Sequence, residues 1–157
     1  MIIIFHGKLL VCRTGRHQSL ENYFFTDENS YNMKAFEVEA TEFTPKIYFD
    51  ITSLPFLVEG VSRPENANEF YEPVIDWLKQ YKENPLTTTK IDFQFDYFNT
   101  SSLKYFLIIL SQFKDIVDSG KDVNISWYYD EEDESMLEAG RNLEELSELN
   151  FSFKIHE

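Results

Sequence analysis

The chain has 157 residues, with 28 acidic against 14 basic side chains, a formal charge of −14, and a 43% hydrophobic content that includes 15 Phe and 9 Tyr. That apolar supply can fill a core and excludes a chain disordered throughout, while so negative a field repels nucleic-acid backbones and anionic lipid and leaves proteins as the expected partners. The single Cys12 excludes an internal disulfide, and with scattered histidines it cannot complete a Cys/His metal site, so the reducing cytoplasm is the default compartment.

The opening Met1-Ile2-Ile3-Ile4-Phe5 is broken by His6, Gly7 and Lys8 and followed only by a short apolar run to Cys12, which suits neither a signal peptide nor a membrane span. Residues 1–32 balance Lys8, Arg13 and Arg16 against Glu21, Asp27 and Glu28, so the whole net charge falls on residues 33–157. Lacking a sustained period of 2 or 3.6, residues 1–32 read as an extension with no part in the fold. Met33 is then an alternative start, and one domain spans 33–157.

From Thr44 the pattern becomes regular. Ile47, Phe49 and Ile51 alternate with Tyr48 and Asp50, then Ser53-Leu54-Pro55 reads as a turn into a second strand over 56–60. Phe70, Val74, Trp77, Leu78 and Tyr81 fall at helical spacing, and Pro73, suited to a first turn, sets the expected helix start near Glu72. Residues 90–98 form the clearest strand, with Ile91, Phe93, Phe95 and Tyr97 on one face. A helix striped by Leu103, Phe106, Leu107, Leu110, Phe113 and Val117 follows, stopped at Ser119-Gly120. Val123, Ile125, Trp127 and Tyr129 predict the next strand, Met136, Leu137, Leu143 and Leu146 a third helix, and Phe151, Phe153 and Ile155 a last strand. The order β-β-α-β-α-β-α-β implies an α/β domain with a mixed, mostly parallel sheet of about five strands and right-handed crossovers.

Catalytic chemistry finds little material. His6, His17 and Cys12 lie in the extension, His156 is the penultimate residue, and no phosphate-cradling glycine motif or metalloprotease pattern occurs. No cofactor is called for. The acidic run Asp130-Glu131-Glu132-Asp133-Glu134 reads as a solvated entry to the third helix, where negative charge suits the dipole; a metal-dependent hydrolase built on Asp130, Asp133 and Glu134 is the rival reading. Asn99-Thr100-Ser101-Ser102 places three hydroxyls where a strand enters a helix. It reads as an N-cap, because short side-chain oxygens accept unpaired first-turn N–H groups. The alternative reading is a phosphoacceptor, since a phosphate there meets the positive end of the helix dipole.

Several segments together carry a resemblance: Thr44-Pro45-x-Ile47 with Phe49-Asp50, Gly60-x-Ser62-x-Pro64-Glu65-Asn66-Ala67, Phe70-Tyr71, Ile75-x-Trp77-Leu78, Tyr97-Phe98-Asn99-Thr100-Ser101-Ser102 and Trp127-Tyr128-Tyr129. Across residues 42–155 the chain resembles the SiaC family of bacterial regulatory phosphoproteins. The resemblance implies a fold like that of anti-sigma-factor antagonists (STAS) and a non-catalytic switch. It implies Thr100 as the acceptor, with Asn99 orienting the loop and Ser101 or Ser102 capping the helix. It further implies a dedicated Ser/Thr kinase, a metal-dependent Ser/Thr phosphatase, and an effector such as a diguanylate cyclase, hence control of cyclic-di-GMP and biofilm growth. Antagonism of an anti-sigma factor is the sibling reading. Glu65 and Asn66 stand either as a turn capping the first helix or as a partner-docking site.

Overall fold

The structure is a computed structural model that describes residues 2–5, 8–11 and 33–156. His6, Cys12 and His17 lie outside the described residues. The chain divides into two compact units, Met1–Met33 and Lys34–Glu157. In the first, β1 (Ile2–Phe5) and β2 (Lys8–Val11) pair as an antiparallel hairpin, a regular element where periodicity predicts none. Two four-residue runs are too short to establish a period, yet long enough to pair with each other.

The second unit is a six-stranded sheet and three helices. Across the sheet run β3 (Phe36–Val38), β4 (Lys46–Asp50), β5 (Ser53–Ser62), β6 (Thr88–Phe98), β7 (Asp122–Tyr129) and β8 (Phe151–Ile155). The first three are antiparallel neighbours, and β5 to β8 are parallel. Parallel neighbours need crossovers, which α1 (Ala67–Tyr81), α2 (Thr100–Asp118) and α3 (Glu134–Ser147) supply. Each crossover advances one strand in the same direction, so right-handed connections lay all three helices on one face, where α1 packs on α2 and α2 on α3. Buried Ile47, Phe49, Phe56, Val58, Ile91, Phe93, Phe95, Ile125 and Trp127 point into that layer. The alternate positions, among them Tyr48, Glu59, Asp92, Gln94, Tyr128 and Lys154, make the opposite face polar and unburied. Among the described residues no helix is long and apolar enough to cross a membrane.

Several expectations are corrected. The sheet gains β3, whose Phe36-Glu37-Val38 alternation is too short a run to mark a strand. The β4–β5 turn is Ile51-Thr52, because the Asp50 carboxylate accepts from Thr52 N at 2.8 Å and Thr52 Oγ1 at 2.7 Å; Ser53, Leu54 and Pro55 already belong to β5. Helix α1 starts at Ala67 rather than near Glu72, since Asn66 caps it. Pro73 sits inside on the exposed side, where the carbonyl of exposed Glu69 forgoes an N–H while the face of Tyr71, Val74, Ile75, Trp77, Leu78 and Tyr81 stays buried. In α2 the buried stripe runs through Phe106, Ile109, Leu110, Phe113 and Ile116, leaving Leu103 and Leu107 half-buried and Val117 exposed. In α3 it runs through Met136, Gly140 and Leu143, and Leu146 is 68% exposed.

One correction shapes the site. Opposite the β5 pair Gly60 and Val61, β6 offers Phe95 and then Tyr97, so Asp96 is an extra residue and the alternation inverts beyond it. Tyr97 turns outward, 52% exposed, while the Phe98 ring joins those of Phe95, Phe106 and Trp127. Gly60 holds φ at 102°, a conformation that side chains with a Cβ rarely adopt.

Candidate functional site

Because β5 and β6 are parallel neighbours, their C-terminal ends lie side by side, and each leads into a helix. The Glu65-Asn66 turn into α1 and the Asn99 turn into α2 therefore share one end of the sheet. A backbone hydrogen bond from Asn99 N to Ser62 O, 3.0 Å, ties the two exits together.

The four residues of the second turn separate sharply by environment. Asn99, not a serine, caps α2: its Oδ1 accepts from Ser102 N at 3.1 Å, Ser102 Oγ at 2.9 Å and Ser101 Oγ at 2.8 Å. With an N–H group among the three donors, that atom is the amide oxygen. The capping expected of Ser101 or Ser102 passes to Asn99, because Ser102 is already drawn into the core. Fully buried, Ser102 Oγ accepts from Ser62 Oγ at 2.7 Å. Ser62 Oγ lies 2.6 Å from the Tyr71 hydroxyl. Having one proton, given to Ser102, Ser62 must accept from Tyr71. Burial pushes the Tyr71 phenol well above its ordinary range, which keeps it the donor this chain of bonds requires.

Thr100 differs from both serines. It is the first residue of α2 and is exposed, and among the described residues its hydroxyl makes no hydrogen bond. The first turns of α1 and α3 hold Glu69 and Glu134, whereas α2 has no acidic residue there. In a chain this negative, the positive end of α2 is left without a side-chain anion.

Around this centre lie residues of two kinds. Asn66 is engaged by α1, its Oδ1 accepting from Glu69 N at 3.2 Å and its Nδ2 donating to Glu69 Oε2 at 3.3 Å; Glu65 beside it is exposed. Arg63 N donates to Phe43 O at 2.8 Å, its guanidinium lies 4.9 Å from the centre of the Phe43 ring, and its Nη2 is 3.6 Å from Glu42. Sequence reading did not select Ser62, Tyr71, Arg63, Glu42 or Phe43. Ser62 and Tyr71 stand within the segments that carry the resemblance, but no spacing links them to Ser102, which lies 40 positions beyond Ser62.

The acidic run does not gather. Asp133 caps α3, accepting from Met136 N at 2.9 Å, and among the described residues no three His, Cys, Asp or Glu side chains are grouped to hold a metal ion.

Residues 38–156 match the SiaC family of regulatory phosphoproteins. The chain belongs to the SiaC family. A protein of Pseudomonas aeruginosa strain UCBPP-PA14 is 28% identical over 125 residues, spanning 80% of this chain and 99% of its own length. SiaC of Pseudomonas aeruginosa, solved in complex with the diguanylate cyclase SiaD that it activates, superposes with a TM-score of 0.72 at 28% identity, covering 77% of this chain and 99% of that one. The apo form of that SiaC gives 0.70, also at 28% identity, covering 80% and 100%. The SiaC-family region of this chain thus includes both sheet exits and the hydroxyl chain beneath them.

Proposed function

We propose that the protein is a non-catalytic regulator switched by phosphorylation of Thr100, which in its unmodified state binds and controls a diguanylate cyclase. A Ser/Thr protein kinase adds the phosphate, a metal-dependent Ser/Thr phosphatase removes it, and the exchange takes place in the cytoplasm, within the domain of residues 33–157. One observation carries the choice of residue: of three consecutive hydroxyls, Ser102 is buried, Ser101 is bonded to the cap, and Thr100 alone is exposed with no hydrogen bond among the described residues. Family membership and the cyclase complex of the Pseudomonas aeruginosa protein support the regulatory role. A phosphate on Thr100 adds about −1.5 to −2 charge at the open end of α2, which the helix tolerates and an apolar or acidic partner surface does not. Ser101, Ser102 and Asn99 support the loop, and Glu65, exposed beside Asn66 at the same sheet end, belongs to the docking surface.

The test is incubation with the cognate kinase and ATP, then phosphosite mapping by mass spectrometry. Phosphate is expected on Thr100 of the native protein and absent from Thr100→Ala. Incorporation at Ser101 or Ser102, or unchanged incorporation into Thr100→Ala, defeats the assignment. Affinity capture with Thr100→Ala and Thr100→Asp baits reads the effector: a cyclase should be retained by the first and lost by the second.

A further inference from the structure

Arg63 and Thr100 are the residues that follow the two partners of a single backbone hydrogen bond, Ser62 O to Asn99 N. They sit at neighbouring ends of β5 and β6, and strands in a sheet are about 4.8 Å apart, within the span of an extended arginine side chain. In the unmodified protein the guanidinium is held on the other side of β5, 3.6 Å from the Glu42 carboxylate and over the Phe43 ring. That hold is weak. The two side chains are 44% and 75% exposed, and exposed single ion pairs rank among the least stabilising contacts a protein makes. A phosphate offers about twice the charge of a carboxylate and three oxygens in the geometry that a guanidinium binds through paired hydrogen bonds.

We propose that Arg63 is the internal receptor for the phosphate on Thr100, and that its departure from Glu42 uncovers the Phe43 ring. The inference rests on Thr100 being the acceptor, as proposed above. Little else has to move: the Thr41 hydroxyl accepts from Phe43 N at 3.1 Å and Thr44 N at 3.0 Å, so the turn carrying Phe43 is set by its own bonds, independently of the guanidinium. Modification then does two things at once. It partly neutralises the new charge, and it strips the cation from an aromatic ring already 46% exposed, on the far side of β5 from the modified residue. A partner reading this end of the sheet meets a changed surface beyond the phosphate itself. The competing cation is Lys104, one turn along α2, whose Nζ lies 5.8 Å from the centre of the Tyr105 ring.

The experiment uses the full chain with phosphothreonine installed at position 100 during translation. The kinase experiment above fails or succeeds separately, so the two ideas are judged apart. Phosphorus NMR across a pH series reads the second ionisation of the phosphate, ordinarily near 6. The midpoint in the otherwise native chain should fall below that value, and Arg63→Gln should raise it by roughly half a unit to one unit. The Phe43 ring resonances should shift on phosphorylation of the native chain and stay in place in Arg63→Gln. A midpoint that Arg63→Gln leaves unchanged, or that only Lys104→Gln raises, overturns the proposal.

Discussion

At the scale of single residues, the site depends on which hydroxyl gives its proton to which. Tyr71 donates to Ser62, Ser62 to Ser102, and Ser102 onward to Asn99 Oδ1 or Ser62 O, so the turn holding Thr100 is fastened from below by groups that are nearly all buried. Removing a donor and removing the group it donates to have unequal costs. Tyr71→Phe deletes the first donor and leaves Ser62 short of one accepted bond, a loss of about 0.5–1.5 kcal/mol. Ser62→Ala strands the Tyr71 hydroxyl in the core, a desolvation penalty of about 1–3 kcal/mol, and takes the donor from Ser102 as well. Urea unfolding should therefore rank Ser62→Ala as the more destabilising, with the double variant costing less than the sum of the singles. Additive losses would mean that the two groups do not share a bond in solution.

At the scale of elements, α3 is seated by an absence. A Cβ built at Gly140 would stand 2.6 Å from Trp127 Nε1 and 2.9 Å from Phe153 Cε1, so the helix lies on β7 and β8 closer than any other residue permits. The Trp127 indole completes the contact by donating to Met136 O at 3.1 Å, one turn earlier in the helix. Gly140→Ala, ordinarily a gain for a helix interior, should instead cost about 1–3 kcal/mol and alter the near-ultraviolet circular dichroism of the tryptophans; an unchanged or higher melting temperature would refute the close seating. The same helix marks the limit of reading by apolar period. Met136 and Leu143 were legible from their spacing, but Gly140 carries no apolar signal, and Leu146 carries one while facing solvent. The strand-helix alternation was legible because each element is long enough to show its period. The Asp96 bulge was not, since an inserted residue is defined by the partner strand, and a strict period of 2 therefore puts Tyr97 on the wrong face. The turn Asn99-Thr100-Ser101-Ser102 stood out as a hydroxyl cluster, yet its division of labour depends on Ser62 and Tyr71, which only the fold brings beneath it.

At the scale of the whole domain, one face of the sheet is closed by helices and the other is polar, and the candidate site lies at the C-terminal ends of parallel strands, where each hands over to a helix. The closed layer holds two neutral phenols: Tyr71, a donor beneath the site, and Tyr81, whose hydroxyl accepts from Leu86 N at 3.2 Å and lies 2.6 Å from Thr89 Oγ1. Burial raises both above the ordinary tyrosine value near 10. The native state therefore keeps these protons at pH values where the unfolded chain has lost them, so above about 10 the unfolded state binds fewer protons and stability falls as pH rises. Below 10 both states are protonated and these two groups add no slope. Each buried phenol contributes at most about 1.4 kcal/mol per pH unit once the unfolded chain is ionised. Denaturant unfolding between pH 8 and 11 should show a plateau and then a decline, and Tyr81→Phe should be less stable on the plateau but lose stability less steeply above it. A decline equally steep in that variant would mean that the Tyr81 phenol ionises in the folded protein much as it does in water, and that the layer around Thr89, at the start of β6, is wetter than its packing indicates.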